Sequence, residues 1–305
     1  ADYERIWQGT QKHFFAMPFG MANRVHADVT PEERERIFED AWRRGGFCYL
    51  FETFDDIWVD EKSNEAAAEF IRKKIRETVK DPKTAELLCP KTYPLAGKRP
   101  PLGHGYYEAF NRPNVKLVDV AGDPIREITP KGIRTGTAEH ELDVIIFATG
   151  FDAATGALSQ IDIRGRDGAS LNETWAAGPK TVLGIGVPGF PNLFTVCGPQ
   201  SPFANIPVVI DNMVRWIGRA IAHLRENDLE TIEANPDAAE AWSAHMTELV
   251  NRTVLPRGED VRSWFLGANI PGKPHVVLFY FGGAGAYFDH CDAVADRGFE
   301  GFTAS

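Results

Sequence analysis

The sequence predicts an α/β layered fold, and three observations carry that prediction. Short β-like runs alternate with segments of helical period through the second half of the chain. The run Leu142–Ala148, LDVIIFA, is continuously apolar, as expected of a strand covered on both faces in a parallel sheet. The segment Pro207–Glu226 places Val209, Met213, Ile217 and Leu224 close to one face of an amphipathic helix.

The first ninety-odd residues read as helical. Thr30-Pro31-Glu32-Glu33 is a capping box with proline at the first helical position, followed by the apolar face Ile37, Ala41 and Trp42. Gly45-Gly46 ends that helix, because glycine takes the left-handed cap without a Cβ penalty. A second helix is expected from about Asn64 to Lys80, with the stripe Ala67, Phe70, Ile71, Ile75 and Val79, before Asp81-Pro82 opens a turn. Between them FETFDDIWVDE reads as a solvated acidic loop with aromatic anchors. The Pro/Gly-rich stretch KTYPLAGKRPPLGHG is a loop or linker. Strands are then expected at Val115–Val120, Ile133–Thr135, Leu142–Ala148, Thr181–Val187, Leu193–Cys197 and over residues 276–283. Further helices are expected at Pro236–Arg252 and about Tyr287–Arg297.

Composition bounds the function. A chain of 305 residues suffices for about two domains of roughly 100–200 residues each. A net charge of −10 argues against a broad nucleic-acid surface, although it leaves room for a local cationic pocket. Cys48, Cys89, Cys197 and Cys291 form no C-x-x-C pair, so reduced thiols in the cytoplasm are expected and a zinc site is not. The eight histidines have no metal-ligand spacing. There is no apolar run of about 18 residues to span a membrane. The nucleophile elbow, the H-E-x-x-H helix and the P-loop are missing from the sequence, and the G-x-G-x-x-G spacing of Gly184-Ile185-Gly186-Val187-Pro188-Gly189 is followed by no helical pattern, so it is not read as a dinucleotide loop.

Four stretches can carry chemistry. Ala148-Thr149-Gly150-Phe151-Asp152 ends the expected central strand in small residues, where an α/β sheet places ligands; a tight structural turn accounts for it equally well. Lys98-Arg99-Pro100 puts two cations side by side in an acidic protein, suited to a phosphate and a developing anion, or simply a solvated pair. Trp264, in WFLGANIPGK, can wall a pocket or anchor a surface loop. GPQSPFANIP, residues 198–207, runs from a strand end through a Gly/Pro loop to a helix start whose N–H groups can face an electron-rich ring.

Taken in order, EERERIFEDAWRRGG, KRPPLGHGYYEAFNRPNVKLVDV, ELDVIIFATGFDAATGAL, GPQSPFANIP, WFLGANIPGKP and VLFYFGG resemble the Baeyer–Villiger flavin monooxygenases of the cyclohexanone and phenylacetone type. The resemblance covers essentially the whole chain. It implies parts of two Rossmann-like domains, for FAD and NADPH, with a helical insertion. Residues 1–95 would be the insertion, 96–150 the returning part of the NADPH domain, and 151–305 the C-terminal part of the FAD domain. It implies that Arg99 stabilises the flavin peroxide and its anionic adduct with a ketone, and that Lys98 meets the 2′-phosphate of NADPH. Ala148, Thr149, Gly150 and Phe151 would line the crossing between cofactor domains, and Trp264 would close over the nicotinamide cofactor. Asn205 and Ile206 would adjoin the flavin ring, with Phe203 and Ala204 in the substrate-pocket wall. The implied reaction inserts one oxygen atom of O2 beside a ketone carbonyl, giving an ester or lactone. Oxidation of sulfur or nitrogen, and a non-catalytic truncated fragment, are the alternatives. The glycine-rich cofactor loops of the family would belong to a missing N-terminal segment of the same protein.

Overall fold

The computed structural model describes residues 2–258 and 262–305. These divide into two compact units. One comprises residues 2–67, 93–100 and 152–305, and the other residues 68–92 and 101–151.

Helix formation follows the sequence closely. The helix Pro31–Arg44 starts on a complete capping box: the Glu33 N–H donates to Thr30 Oγ1 at 3.2 Å, and the Thr30 N–H donates to Glu33 Oε2 at 3.0 Å. It stops at Gly45, whose φ of 73° suits glycine alone among common residues. Further helices run Glu61–Thr78, Ile206–Glu226, Pro236–Asn251 and Ala284–Asp296.

The core of the larger unit forms where the last three of these meet. Val209, Met213, Trp216 and Ala220 of one helix pack with Trp242 and Met246 of the next and Tyr287, Cys291 and Val294 of the last. Burying such side chains contributes roughly 1.5–3 kcal/mol each. Polar tips are satisfied: Trp216 Nε1 donates to the Cys291 carbonyl at 3.0 Å, and the Tyr287 hydroxyl donates to the Leu183 carbonyl at 2.7 Å. A two-stranded antiparallel ribbon, Ile232–Ala234 with Phe302–Ala304, ties the chain end to this core. The smaller unit has its own cluster of Ile75, Val79, Ala85 and Cys89, and a three-stranded antiparallel meander, Ile125–Thr129, Gly132–Thr135 and Glu139–Glu141.

The expected strands fare differently. Ile133–Thr135 lies in the meander, but that sheet is antiparallel rather than parallel. Val115–Val120 is irregular. Leu142–Ala148 has extended apolar sequence and no ladder; Val144 is 74% exposed and Ile146 85%. A strand exists only where neighbours accept its hydrogen bonds. The run is hydrogen-bonded as a strand to neither of the two described sheets. Thr181–Val187 folds back at Gly184 (φ 66°) into a tight loop with bridges Val182–Gly186 and Gly186–Phe194, so neither it nor Leu193–Cys197 becomes a strand. FETFDDIWVDE is less solvated than its charge suggests: Phe51, Phe54 and Ile57 are buried.

His13 gives the larger unit a pH dependence. The ring is buried, and Nδ1 accepts the N–H groups of Phe15 and Met17 at 3.1 and 3.2 Å, so the neutral ring carries its proton on Nε2. Burial lowers its pKa from 6.5, opposed in part by the Glu52 carboxylate. The unfolded chain therefore binds more protons below about pH 6.5, and stability present above that value is lost as pH falls. We expect the melting temperature to drop between about pH 7.5 and 5.5, and to drop less in His13→Asn, whose amide oxygen can accept the same N–H groups without titrating. Equal slopes in both proteins would remove His13 as the source.

Candidate functional site

The loop bearing Lys98 and Arg99 is held on both sides of a backbone twist. Ala96 has a φ of 65°, and Gly97 closes a turn by donating to the Pro94 carbonyl at 2.9 Å. Asn64, buried on the helix Glu61–Thr78, fixes the entry: its Oδ1 accepts the Leu95 N–H at 2.9 Å. Its Nδ2 donates to the Leu95 and Ile57 carbonyls at 3.0 and 2.9 Å. The exit is fixed by buried Ser263, whose hydroxyl donates to the Gly97 carbonyl at 2.7 Å. Ser263 immediately precedes Trp264, so this one hydrogen bond couples the Arg99 loop to the tryptophan loop.

Both cations lie over aromatic faces. The Arg99 guanidinium is 5.8 Å from the centroid of Phe47, and Lys98 Nζ is 5.5 Å from that of Tyr93. Phe47 leads into a ring cluster: Phe47–Phe51 at 5.6 Å, Phe15–Phe51 at 4.4 Å, Phe19–Phe51 at 5.9 Å and Trp58 stacked on Phe51 at 6.1 Å. An always-protonated side chain thus stands beside an apolar wall.

A second aromatic group gathers the other motifs. Phe203 meets Trp264 edge-on at 6.0 Å and Phe265 at 4.7 Å, with Phe279 and Phe281 also against it. What joins them is the extended segment of residues 276–280. Its Val276 and Leu278 N–H groups donate to the Leu266 and Phe265 carbonyls. On its other side the Gln200 N–H donates to the Leu278 carbonyl at 2.7 Å, the Tyr280 N–H to the Ser201 carbonyl at 2.9 Å and the Phe203 N–H to the Tyr280 carbonyl at 3.1 Å. The expected strand over 276–283 is thus a single extended tie between two loops, with one parallel bridge, Pro202–Tyr280. Gln200 locks the loop further: its side-chain oxygen accepts from the Thr181 N–H and hydroxyl, and its Nε2 donates to Ser243. Ala204 packs on the main core. Asn205 caps the helix Ile206–Glu226 through its carbonyl, while its N–H and Nδ2 donate to the Phe15 and Ala16 carbonyls, both at 3.0 Å. Ile206 is exposed.

Ala148, Thr149, Gly150 and Phe151 belong to the other unit, in irregular backbone, with Gly150 at φ 92° and Phe151 89% exposed. The chain re-enters the larger unit at Asp152, which pairs with Lys273 Nζ; the same ammonium donates to Thr155 Oγ1 at 2.9 Å. Two motifs read separately in sequence, TGFD and NIPGK, are therefore joined by an ion pair.

Sequence reasoning missed Phe47, Phe51, Asn64, Ser263 and the Asp152–Lys273 pair. A buried Asn in an apolar stripe was a usable signal for Asn64; nothing local marks Ser263. Among the described residues no His/Cys/Asp/Glu cluster is disposed to hold a metal, and no helix is long and apolar enough to cross a membrane.

No protein-family model matches the chain. Among characterised proteins it is 44% identical to a Baeyer–Villiger monooxygenase of Pseudooceanicola batsensis, over 98% of this chain and 54% of that protein. It is 43% identical to a phenazine N-monooxygenase of Lysobacter antibioticus, over 99% of this chain and 55% of that protein. Among solved structures it matches NADP+-bound cyclohexanone monooxygenase from Rhodococcus sp. Phi1 with a TM-score of 0.95 and 44% identity, over all of this chain and 57% of that one. It also matches an OTEMO complex with FAD and NADP, with a TM-score of 0.94 and 37% identity, over 99% of this chain and 56% of that one. In sequence and in fold, the chain is a relative of the Baeyer–Villiger-type flavin monooxygenases, and it spans about half the length of the relatives it matches.

Proposed function

We propose that this chain supplies the cationic and aromatic part of an FAD- and NADPH-dependent Baeyer–Villiger oxygenation site. On this reading one oxygen atom of O2 is inserted beside a ketone carbonyl to give an ester or lactone. The observation that carries the reading is the Ser263–Gly97 hydrogen bond, which couples Arg99 and the Trp264 loop beside apolar walls. When bound, the two cofactors would supply the electrons and the activation of dioxygen. The donor set fits part of that requirement. Lys98 offers a compact charge for a phosphate such as the 2′-phosphate of NADPH, and Arg99 a fixed positive charge for an oxygen anion and the anionic ketone adduct. Trp264 would cover the nicotinamide cofactor, with Phe203 and Ala204 facing the ketone. Asn205 and Ile206 would border the flavin, at a helix start whose N–H groups favour electron density. Ala148, Thr149, Gly150 and Phe151 would line the crossing between cofactor domains.

The one G-x-G-x-x-G spacing, Gly184 to Gly189, is a tight loop with no helix directly after it, so no strand–glycine loop–helix pyrophosphate cradle occurs among the described residues. We therefore read a further segment of the same protein as the working partner. The exposed apolar side chains Val144, Ile146 and Phe147, and the exposed stripe Ile206, Ile210, Val214 and Ile221 on one helix, are surfaces suited to it. On this reading residues 1–95 are a helical insertion, 96–150 return to the NADPH domain and 151–305 complete the FAD domain. The four thiols are all unpaired, which suits the cytoplasm.

The test is a chimera joining this chain to the N-terminal remainder of the Pseudooceanicola relative, assayed with a cyclic ketone, a thioether and phenazine. Lactone as the main product is expected. Flavin bound and NADPH consumed with only N-oxide or sulfoxide formed would favour the second reading, which the phenazine N-monooxygenase likeness supports. A chimera that binds no flavin would defeat both and leave a non-catalytic fragment.

A further inference from the structure

The helix Pro31–Arg44 turns one face toward a cleft of about 610 Å³ that the oxygenation reading does not use. Arg36, Asp40, Arg43 and Arg44 recur at helical spacing along that face, with Ile37 beside them. Arg24 and Glu52 complete the lining. Four guanidinium groups meet two carboxylates there, leaving two positive charges in excess in a chain whose net charge is −10. We propose that this cleft binds a phosphate monoester of a small molecule, no larger than a mononucleotide.

The internal pairing leaves capacity for such a ligand. Arg24 is oriented by the backbone: Nε donates to the Thr53 carbonyl at 2.8 Å and Nη2 to the Glu52 carbonyl at 3.2 Å. Arg43 Nη2 holds Asp40 at 2.5 Å, and Arg44 Nη1 holds the Glu52 carboxylate. A guanidinium has five N–H donors in a fixed fork, so each of these three keeps donors free. Arg36 makes no hydrogen bond or ion pair among the described residues. A dianionic phosphate balances the surplus charge and can take bidentate contacts from more than one arginine. The cleft is within the range of small-ligand sites, and Ile37 gives an apolar contact for the organic part. A simple inorganic anion would use the charges but not that volume.

Isothermal titration calorimetry of the full chain with adenosine 5′-monophosphate, adenosine and inorganic phosphate tests this. We expect the monophosphate to bind, adenosine not to bind, and inorganic phosphate to bind more weakly. Arg36→Glu should weaken the monophosphate at least about tenfold, and raised salt should weaken it further. Arg36 is exposed, so this variant should fold, as circular dichroism will verify; Arg36→Gln serves if it does not. The paired variant Lys98→Ala/Arg99→Ala should bind the monophosphate as the parent does. No heat with the monophosphate up to about 10 mM overturns the proposal. So does affinity lost in the Lys98/Arg99 variant but kept when Arg36 is replaced, which would place the phosphate at the other cations. Equal affinity for inorganic phosphate and the monophosphate would reduce the site to a generic anion contact and also overturn it.

Discussion

Arg99→Ala, introduced into the chimera described above, is expected to lower lactone formation about 10²–10³-fold, the range found when a positioned charge or donor at a developing anion is removed. The expectation rests on geometry as much as on charge. The guanidinium stands on the face of Phe47, next to the Phe51 and Trp58 rings, where water is displaced from one side. An electrostatic contact gains strength as the local dielectric falls. Arg99→Lys tests the shape of the charge. An ammonium keeps the positive charge but loses the planar fork and stacks less well on a ring, so only partial recovery is expected. The informative readout is the split between NADPH consumed and lactone formed. If Arg99 acts on the oxygen anion, NADPH oxidation should persist while lactone falls. Lactone yield unchanged in Arg99→Ala would take this residue out of the mechanism.

How far the sequence discloses such a site depends on the range of the forces that build it. Helix starts and stops are written locally. The Thr30–Glu33 capping box and the Gly45 stop need only neighbours within a turn, and both are found where the pattern puts them. Strands are not local. LDVIIFA has the composition of a buried strand, yet beyond the Leu142 N–H, which donates to the Lys131 carbonyl, it joins neither described sheet, because a ladder depends on partners distant in sequence. The apolar run Thr181–Val187 is buried as expected but spends its hydrogen bonds on a tight loop around Gly184, a choice made by packing rather than propensity. The same contrast holds at the candidate site. Lys98, Arg99, Phe203 and Trp264 stand out as residue types in Gly/Pro-rich surroundings. The hydroxyl of Ser263 is separated from its acceptor by 166 positions, and no periodicity announces such a pairing. Phe47 and Phe51 read as ordinary core aromatics until a guanidinium is found above the first of them.

The largest stability effect is expected at Asn64. Three hydrogen bonds converge on one buried amide, and none of the groups it serves has an obvious substitute: the Leu95 N–H, the Leu95 carbonyl and the Ile57 carbonyl. Asn64→Leu fits the apolar stripe of its helix but strands these groups away from water. Each unsatisfied buried group costs about 1–3 kcal/mol, and relaxation or an entering water returns part of that, so a loss of roughly 2–4 kcal/mol is expected. At about 2–4 °C per kcal/mol for chains of this size, the melting temperature of the isolated chain should fall by roughly 5–15 °C. Asn64→Asp separates the two halves of the clamp. It keeps an acceptor for the Leu95 N–H but turns a carboxylate toward two carbonyls, so it should destabilise at neutral pH and recover partly on acidification, when a protonated carboxyl can donate. Amide exchange reports whether the loss is local. With the entry to the loop released, Gly97 and Lys98 should exchange faster than the helix Ile206–Glu226, whose packing Asn64 does not touch. A melting temperature within about 1 °C of the parent in Asn64→Leu, or exchange accelerated uniformly over the larger unit, would show that Asn64 does not set the backbone that presents Lys98 and Arg99.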